Sequence, residues 1–250
     1  MNNTSIFYTK QGFTLAEVLI TLGIIGIVAA MTMPSLIAEH REKKTVAQLK
    51  KTYSTLQQAY LIAISKHGEP ESWEVGNTHT STNEDGTTQT DYSEAELLLE
   101  YLSENMNTIN INQEAEYTRY QLNGTKGKNV NLKNIPNIVL SDGTIIALGY
   151  ITVTKNAGDI YVILNGCIQN GRCTLGKDIF YFNISFSPAK IIPIGADGSQ
   201  YPKEEFKNYC NKTVDAGDSG KGCAAWVLYN ENMDYLHCND LDWNTKTRCR

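Results

Sequence analysis

Twenty-five consecutive residues, Phe13 to Ile37 (FTLAEVLITLGIIGIVAAMTMPSLI), hold one charge, Glu17, and one proline, Pro34. Apolar side chains fall on every face of a helical projection, which does not suit the one-sided helix of a water-soluble core. As a helix the run is about 37 Å long at 1.5 Å per residue, enough to cross the ~30 Å hydrocarbon layer of a bilayer. Glu17 is the odd residue in it. A carboxylate in a membrane helix is costly near the centre, less so near an end, and such residues usually carry function. It falls one helical turn after Phe13, and Lys10, Gln11 and Gly12 come just before the run.

The remainder has the composition of an ordinary soluble protein, with a mean hydropathy of −0.33 for the whole chain. Its 250 residues allow one or two domains, and the part beyond residue 66 is long enough for a core of its own. The net charge is −5, and −6 without Lys10, so there is no general case for a nucleic-acid partner. Six cysteines (Cys167, Cys173, Cys210, Cys223, Cys238 and Cys249) all lie in the last 84 residues. Their even number and the absence of C-x-x-C favour disulfides over zinc or a redox pair. Disulfides need an oxidising compartment, which places the C-terminal part outside the cytoplasm. Charge bias taken alone points the other way, because Arg41, Lys43, Lys44, Lys50 and Lys51 follow the span and only Lys10 precedes it.

The segment K-Q-G-F-T-L-A-E-V-L-I, Lys10 to Ile20, resembles the processing site of type IV prepilins and the related pseudopilins of type II secretion. The resemblance extends from Lys10 to about Ser65. It implies that a membrane peptidase cuts between Gly12 and Phe13 and N-methylates Phe13. The new amine is basic, since model α-amino groups have pKa values of about 7.7–8.0. Glu17 of one subunit then pairs with the Phe13 amine of a neighbour, in an assembly role and not a catalytic one. Removing one partner of such a buried pair typically costs about 3–5 kcal/mol. Gly23, Gly26 and Pro34 weaken the helix locally, and in relatives that region stretches or melts on assembly. Membrane helices also tolerate Gly and Pro with no such role. The implied partners are the prepilin peptidase, an assembly platform with its ATPase, other pilin or pseudopilin subunits, and the membrane through residues 13–37. The implied location is the bacterial inner membrane, single-pass, with an extracytoplasmic head, and then the pilus or pseudopilus.

The rival reading is a secreted or membrane-anchored extracytoplasmic binding protein or hydrolase with an ordinary signal peptide. Val18–Val28 then forms the apolar region and Val28-Ala29-Ala30 the cleavage site. Glu17 at its head and the apolar sequence beyond Ala30 argue against it.

Three segments follow from the prepilin reading: a leader, 1–12; a transmembrane and assembly helix, 13–65; and a head, 66–250. The helix becomes amphipathic in its second half, where Val46, Leu49, Tyr53, Leu56, Tyr60 and Ile64 recur at spacings of three and four, opposite Arg41, Lys44, Lys51 and Gln58. His67-Gly68-Glu69-Pro70 ends it. Residues 71–90 read as a polar loop. Ser93-x-x-Glu96 reads as a capping box opening a helix over about 93–105. Residues 107–134 show no pattern. Strands are predicted at 138–140 and 145–148 around an Asp-Gly turn, and at 160–164, 177–184 and 190–194. Cys223–Tyr229 suits a short helix or a strand. The expected fold is α+β and pilin-like: a long N-terminal helix on an antiparallel sheet of about four strands, with a disulfide-tied, loop-rich C-terminal region.

Parts of the head, Gly176–Phe182 and Cys223-Ala224-Ala225-Trp226, also resemble bacterial pilin-like proteins. A local Cys167–Cys173 bridge is the preferred pairing among 15 alternatives, with the other four cysteines pairing among themselves. No G-x-S-x-G, H-E-x-x-H, P-loop or G-x-G-x-x-G occurs, and no enzyme activity is expected. No cofactor is expected either. No metal is assigned, because Asp215/Asp218 and Asp240/Asp242 lack a full calcium ligand string and the four histidines are scattered.

Overall fold

A computed structural model describes residues 14–86, 88–152, 157–164, 166–214 and 217–249. The chain divides into two compact units, Met1–Glu42 and Lys43–Arg250. Helix α1 (Leu15–His67) begins in the first and ends in the second. It stops at Gly68, whose φ of +82° is open to a residue without Cβ and whose N–H donates to the Ile64 carbonyl at 2.9 Å.

Within the second unit, α1 buries Thr45, Leu49, Thr52, Leu56, Ala59, Tyr60 and Ala63, at spacings that keep one face inward. Lys44, Lys51 and Gln58 are exposed opposite. The buried face packs on a six-stranded sheet built from β3 (Thr108–Ile111), β6 (Asn137–Leu140), β7 (Ile145–Thr152), β8 (Ala157–Ile163), β10 (Ile179–Phe186) and β11 (Ala189–Pro193). The strand order is β11-β10-β8-β7-β6-β3, and every neighbouring pair is antiparallel. At the Asp142-Gly143 turn the Leu140 N–H donates to the Thr144 carbonyl at 2.8 Å, and the Gly143 N–H donates to that of Leu140 at 2.9 Å.

Both faces of the sheet are covered, so its central strands are apolar at nearly every position. On one face Ile146, Leu148, Phe180, Phe182 and Ile184 meet α1, α2 (Glu96–Ser103) and the C-terminal helices α3 (Phe206–Tyr209) and α4 (Cys223–Asn230). On the other, Ile145, Ala147, Ile163, Ile179 and Tyr181 meet Tyr117, Leu132 and the Cys167–Cys173 loop. The period of two along each strand sends alternate residues to the two cores.

Three expectations need correction. The stretch read as a polar loop contains a hairpin, β1 (His79–Thr82) with β2 (Thr88–Asp91), whose residues are nearly all exposed and so show no apolar alternation. The unpatterned stretch holds β3, β4 (Glu116–Tyr120) and β5 (Lys126–Asn131), each with little apolar surface to bury. β4 also pairs in parallel with β9 (Arg172–Thr174), a strand too short for periodicity to reveal. The capping box at Ser93 is absent: residues 93–95 form a 3-10 turn in which Asp91 Oδ1 accepts the Ser93 N–H at 2.9 Å. Cys223–Tyr229 takes the helical alternative, as α4.

The three disulfides are Cys167–Cys173, Cys210–Cys223 and Cys238–Cys249, spanning 6, 13 and 11 residues. Gly195, at φ +102°, lets the exit of β11 pass the start of α4 backbone to backbone, where a Cβ would lie 2.2 Å from the Gly222 carbonyl oxygen. The Ala225 N–H then reaches the Ile194 carbonyl at 3.0 Å.

Candidate functional site

Gly12 and Phe13 lie outside the described residues. Thr14 caps α1, and Glu17 is the third residue of the helix. Glu17 Oε2 accepts from the Thr14 backbone N–H and from its hydroxyl, both at 2.8 Å, and the Glu17 N–H donates back to Thr14 Oγ1 at 3.2 Å. This reciprocal arrangement is a capping box, and a carboxylate in the first turn also complements the positive end of the helix dipole. Among the described residues, both bonds go to Oε2 and Oε1 accepts none. Sequence reasoning singled out Glu17 but missed Thr14, although the spacing T-x-x-E was the signal.

From Leu15 to Ile37 the large apolar side chains are exposed, Leu15 at 78% and Met31 at 76%. α1 is the one described helix long and apolar enough to cross a membrane, and none of its apolar window is buried. Gly23 and Gly26 sit within it, and a Cβ at either meets nothing within 4 Å, so close packing inside the chain does not require them. Pro34 withholds one N–H from the helix ladder. Hydroxyls bond to carbonyls around it, Thr32 to Val28 and Ser35 to Thr32, each at 3.0 Å.

The aspartates of the C-terminal loops are engaged by other side chains. Asp218 accepts from Lys221 and from the Tyr201 hydroxyl, both at 2.8 Å. Asp240 pairs with Lys246 and Asp242 with Lys207. Asp215 lies outside the described residues. Among those described, no cluster of three or more His, Cys, Asp or Glu is arranged to hold a metal ion.

Sequence reasoning missed a polar contact of the buried Tyr181 hydroxyl, between the six-stranded sheet and a three-stranded sheet of order β5-β4-β9. Arg119 Nη1 donates to the Tyr181 hydroxyl at 3.0 Å, and Tyr161 packs on Tyr181 with centroids 4.5 Å apart. Burial pushes the Tyr181 hydroxyl up to about 12, against the opposing pull of Arg119.

Residues 8–33 match the prokaryotic N-terminal methylation motif, the signature of type IV prepilins and pseudopilins. With the exposed apolar helix it supports a pilin- or pseudopilin-like precursor, and it fits a single-pass, membrane-anchored protein. The chain belongs to a family of unknown function (DUF6613), whose model matches residues 35–231. No curated protein and no solved structure matches it.

Proposed function

We propose that the chain is a structural subunit, a prepilin or pseudopilin, and not an enzyme. In this reading residues 1–12 are a leader cut after Gly12, residues 13–65 a transmembrane and assembly helix, and residues 66–250 an extracytoplasmic head. Phe13 becomes the methylated N-terminus, and the subunit assembles through its N-terminal helix into a type IV pilus or a type II secretion pseudopilus. Its partners are the prepilin peptidase, the assembly platform with its ATPase, and other subunits.

One observation carries the reading: the methylation motif coincides with the start of an apolar helix whose side chains have no cover among the described residues. A helix exposing that much apolar surface needs lipid or other copies around it. Within such a bundle Glu17 needs a cation, and the neighbouring Phe13 amine supplies one. Gly23, Gly26 and Pro34 give the helix local flexibility on leaving the membrane.

Mass spectrometry of the protein from its native cell tests this. The expected mature N-terminus is N-methylated Phe13. A chain that starts at Met31 points to an ordinary signal peptide, and one that keeps Met1 points to an unprocessed anchor; either result ends the proposal.

A further inference from the structure

Two cavities open side by side on the second compact unit. One, of about 360 Å³, has the Trp243 and Phe206 rings in its wall. The other, of about 340 Å³, has Tyr53 and Tyr229. Asp197 and Lys203 line both, and their ion pair, at 3.0 Å, stands on the shared boundary. The two therefore form one open groove, and each half is in the ~300–1,000 Å³ range of small-molecule sites.

Aromatic side chains form part of its apolar surface, beside Ile191, Ile192, Pro193 and Ala196. Tyr229 is 57% exposed. Its ring centroid lies 6.2 Å from that of the half-buried Trp243. Trp243 is held from behind by Trp226 and Phe206, with centroids at 5.1 and 6.1 Å. The Lys203 ammonium lies over the Trp243 ring, 5.5 Å from its centroid, so the exposed Tyr229 ring and the edge of Trp243 that lines the cavity offer the stacking area, at little cost in conformational entropy. The Trp243 indole N–H is sealed from solvent and has no acceptor among the described residues.

Charge selects the ligand. The groove carries three lysines (Lys190, Lys203, Lys207) and three carboxylates (Asp197, Glu204, Asp242). Lys207 also pairs with Asp242, at 3.5 Å. An anion entering here faces three carboxylates and competes for two lysines already paired, Lys203 and Lys207, and a cation meets the mirror-image problem at Asp197 and Asp242. A neutral polyol meets neither. Its hydroxyls donate to the carboxylates and accept from the ammonium groups without breaking the pairs. Its C–H faces, apolar and slightly positive, suit the negative faces of aromatic rings.

From this we infer that the groove between β11 and α4 is a binding site for a neutral oligosaccharide. Tyr229 and Trp243 are the stacking platforms, and Asp197 and Lys203 are the central hydrogen-bonding pair. The inference concerns the head alone and stands whether or not the helix assembles as proposed.

The test uses the full chain in a detergent without a sugar headgroup. Maltotriose, cellotriose and triacetylchitotriose are titrated in turn, with trigalacturonate as the charged control, and followed by tryptophan fluorescence and saturation-transfer NMR. At least one neutral trisaccharide is expected to saturate below about 20 mM, and trigalacturonate is not. Tyr229→Ala should weaken binding at least about threefold with thermal unfolding unchanged, as the loss of an exposed aromatic contact implies. Asp197→Asn frees Lys203 and should let trigalacturonate bind, which a purely structural role for the ion pair does not predict. The inference is overturned if none of the three saturates, if the charged trisaccharide binds the unaltered protein as tightly, or if neither substitution changes the affinity.

Discussion

The Tyr60 hydroxyl, on α1, donates to the carbonyl of Ser185, on β10, at 2.8 Å across 125 residues of sequence. It is a polar contact between the buried face of the helix and the sheet, and the Tyr60 ring is only 2% exposed. Burial lifts the hydroxyl far above the ordinary tyrosine range, so it remains a donor throughout the neutral and mildly alkaline range.

Tyr60→Phe keeps the ring and removes that donor, leaving the Ser185 carbonyl short of a partner. The expected loss is ~1–2 kcal/mol, or a few degrees in Tm for a unit of this size. Leu56→Ala, at a fully buried position on the same face, should cost more, about 2–5 kcal/mol. Thermal unfolding of the two variants side by side checks the order.

Two variants separate the cap at the start of α1 from the proposed charge pair. Thr14→Val removes the hydroxyl that bonds Glu17 but leaves the carboxylate, and should loosen the first turn by ~0.5–2 kcal/mol. Filaments should still form. Glu17→Ala should leave cleavage largely intact and stop polymerisation. Immunoblots for the processed form and electron microscopy of filaments read both. Filaments from Glu17→Ala would refute the pairing account, and their loss in Thr14→Val alone would assign the role to the cap.

Asp159 supplies a pH dependence. Burial raises its pKa, against the lowering effects of Lys221 and of the Asn183 amide, which donates to it at 2.8 Å. A carboxyl whose folded pKa exceeds its unfolded value, about 3.9, weakens the fold at neutral pH. That penalty is relieved as pH falls through the folded pKa, because the folded state takes up the proton first. Asp159→Asn should therefore raise Tm at pH 7, with the difference shrinking towards pH 4. A gap that is constant or grows on acidification contradicts this account.

The Cys210–Cys223 bridge closes a 13-residue loop, and both sulfurs are buried against α4 and the β10 side of the core. Replacing both cysteines by serine should cost about 2–4 kcal/mol. Cys238–Cys249 closes a loop of similar length but lies nearer the surface, with Cys249 only partly buried. It should be reduced first when dithiothreitol is titrated, as alkylation and mass spectrometry can follow.

The N-terminal half of α1 was legible because a long apolar helix is recognised by composition along one continuous stretch. A run with one charge needs no distant partner to be recognised, and Gly68 and Pro70 mark the helix end locally. The central strands were legible too: β6, β7, β8, β10 and β11 are apolar runs, and the Asp142-Gly143 turn is a local signal. The hairpin β1–β2 and the strands β3, β4, β5 and β9 left no such trace. They are polar or very short, and they exist through hydrogen bonds to a neighbouring strand, which only the folded chain brings alongside. The same holds for the second core beneath the sheet, the Arg119–Tyr181 pair and the groove between Tyr229 and Trp243. Their members are scattered between Tyr53 and Asn244, and no spacing rule joins residues whose only relation is proximity in three dimensions.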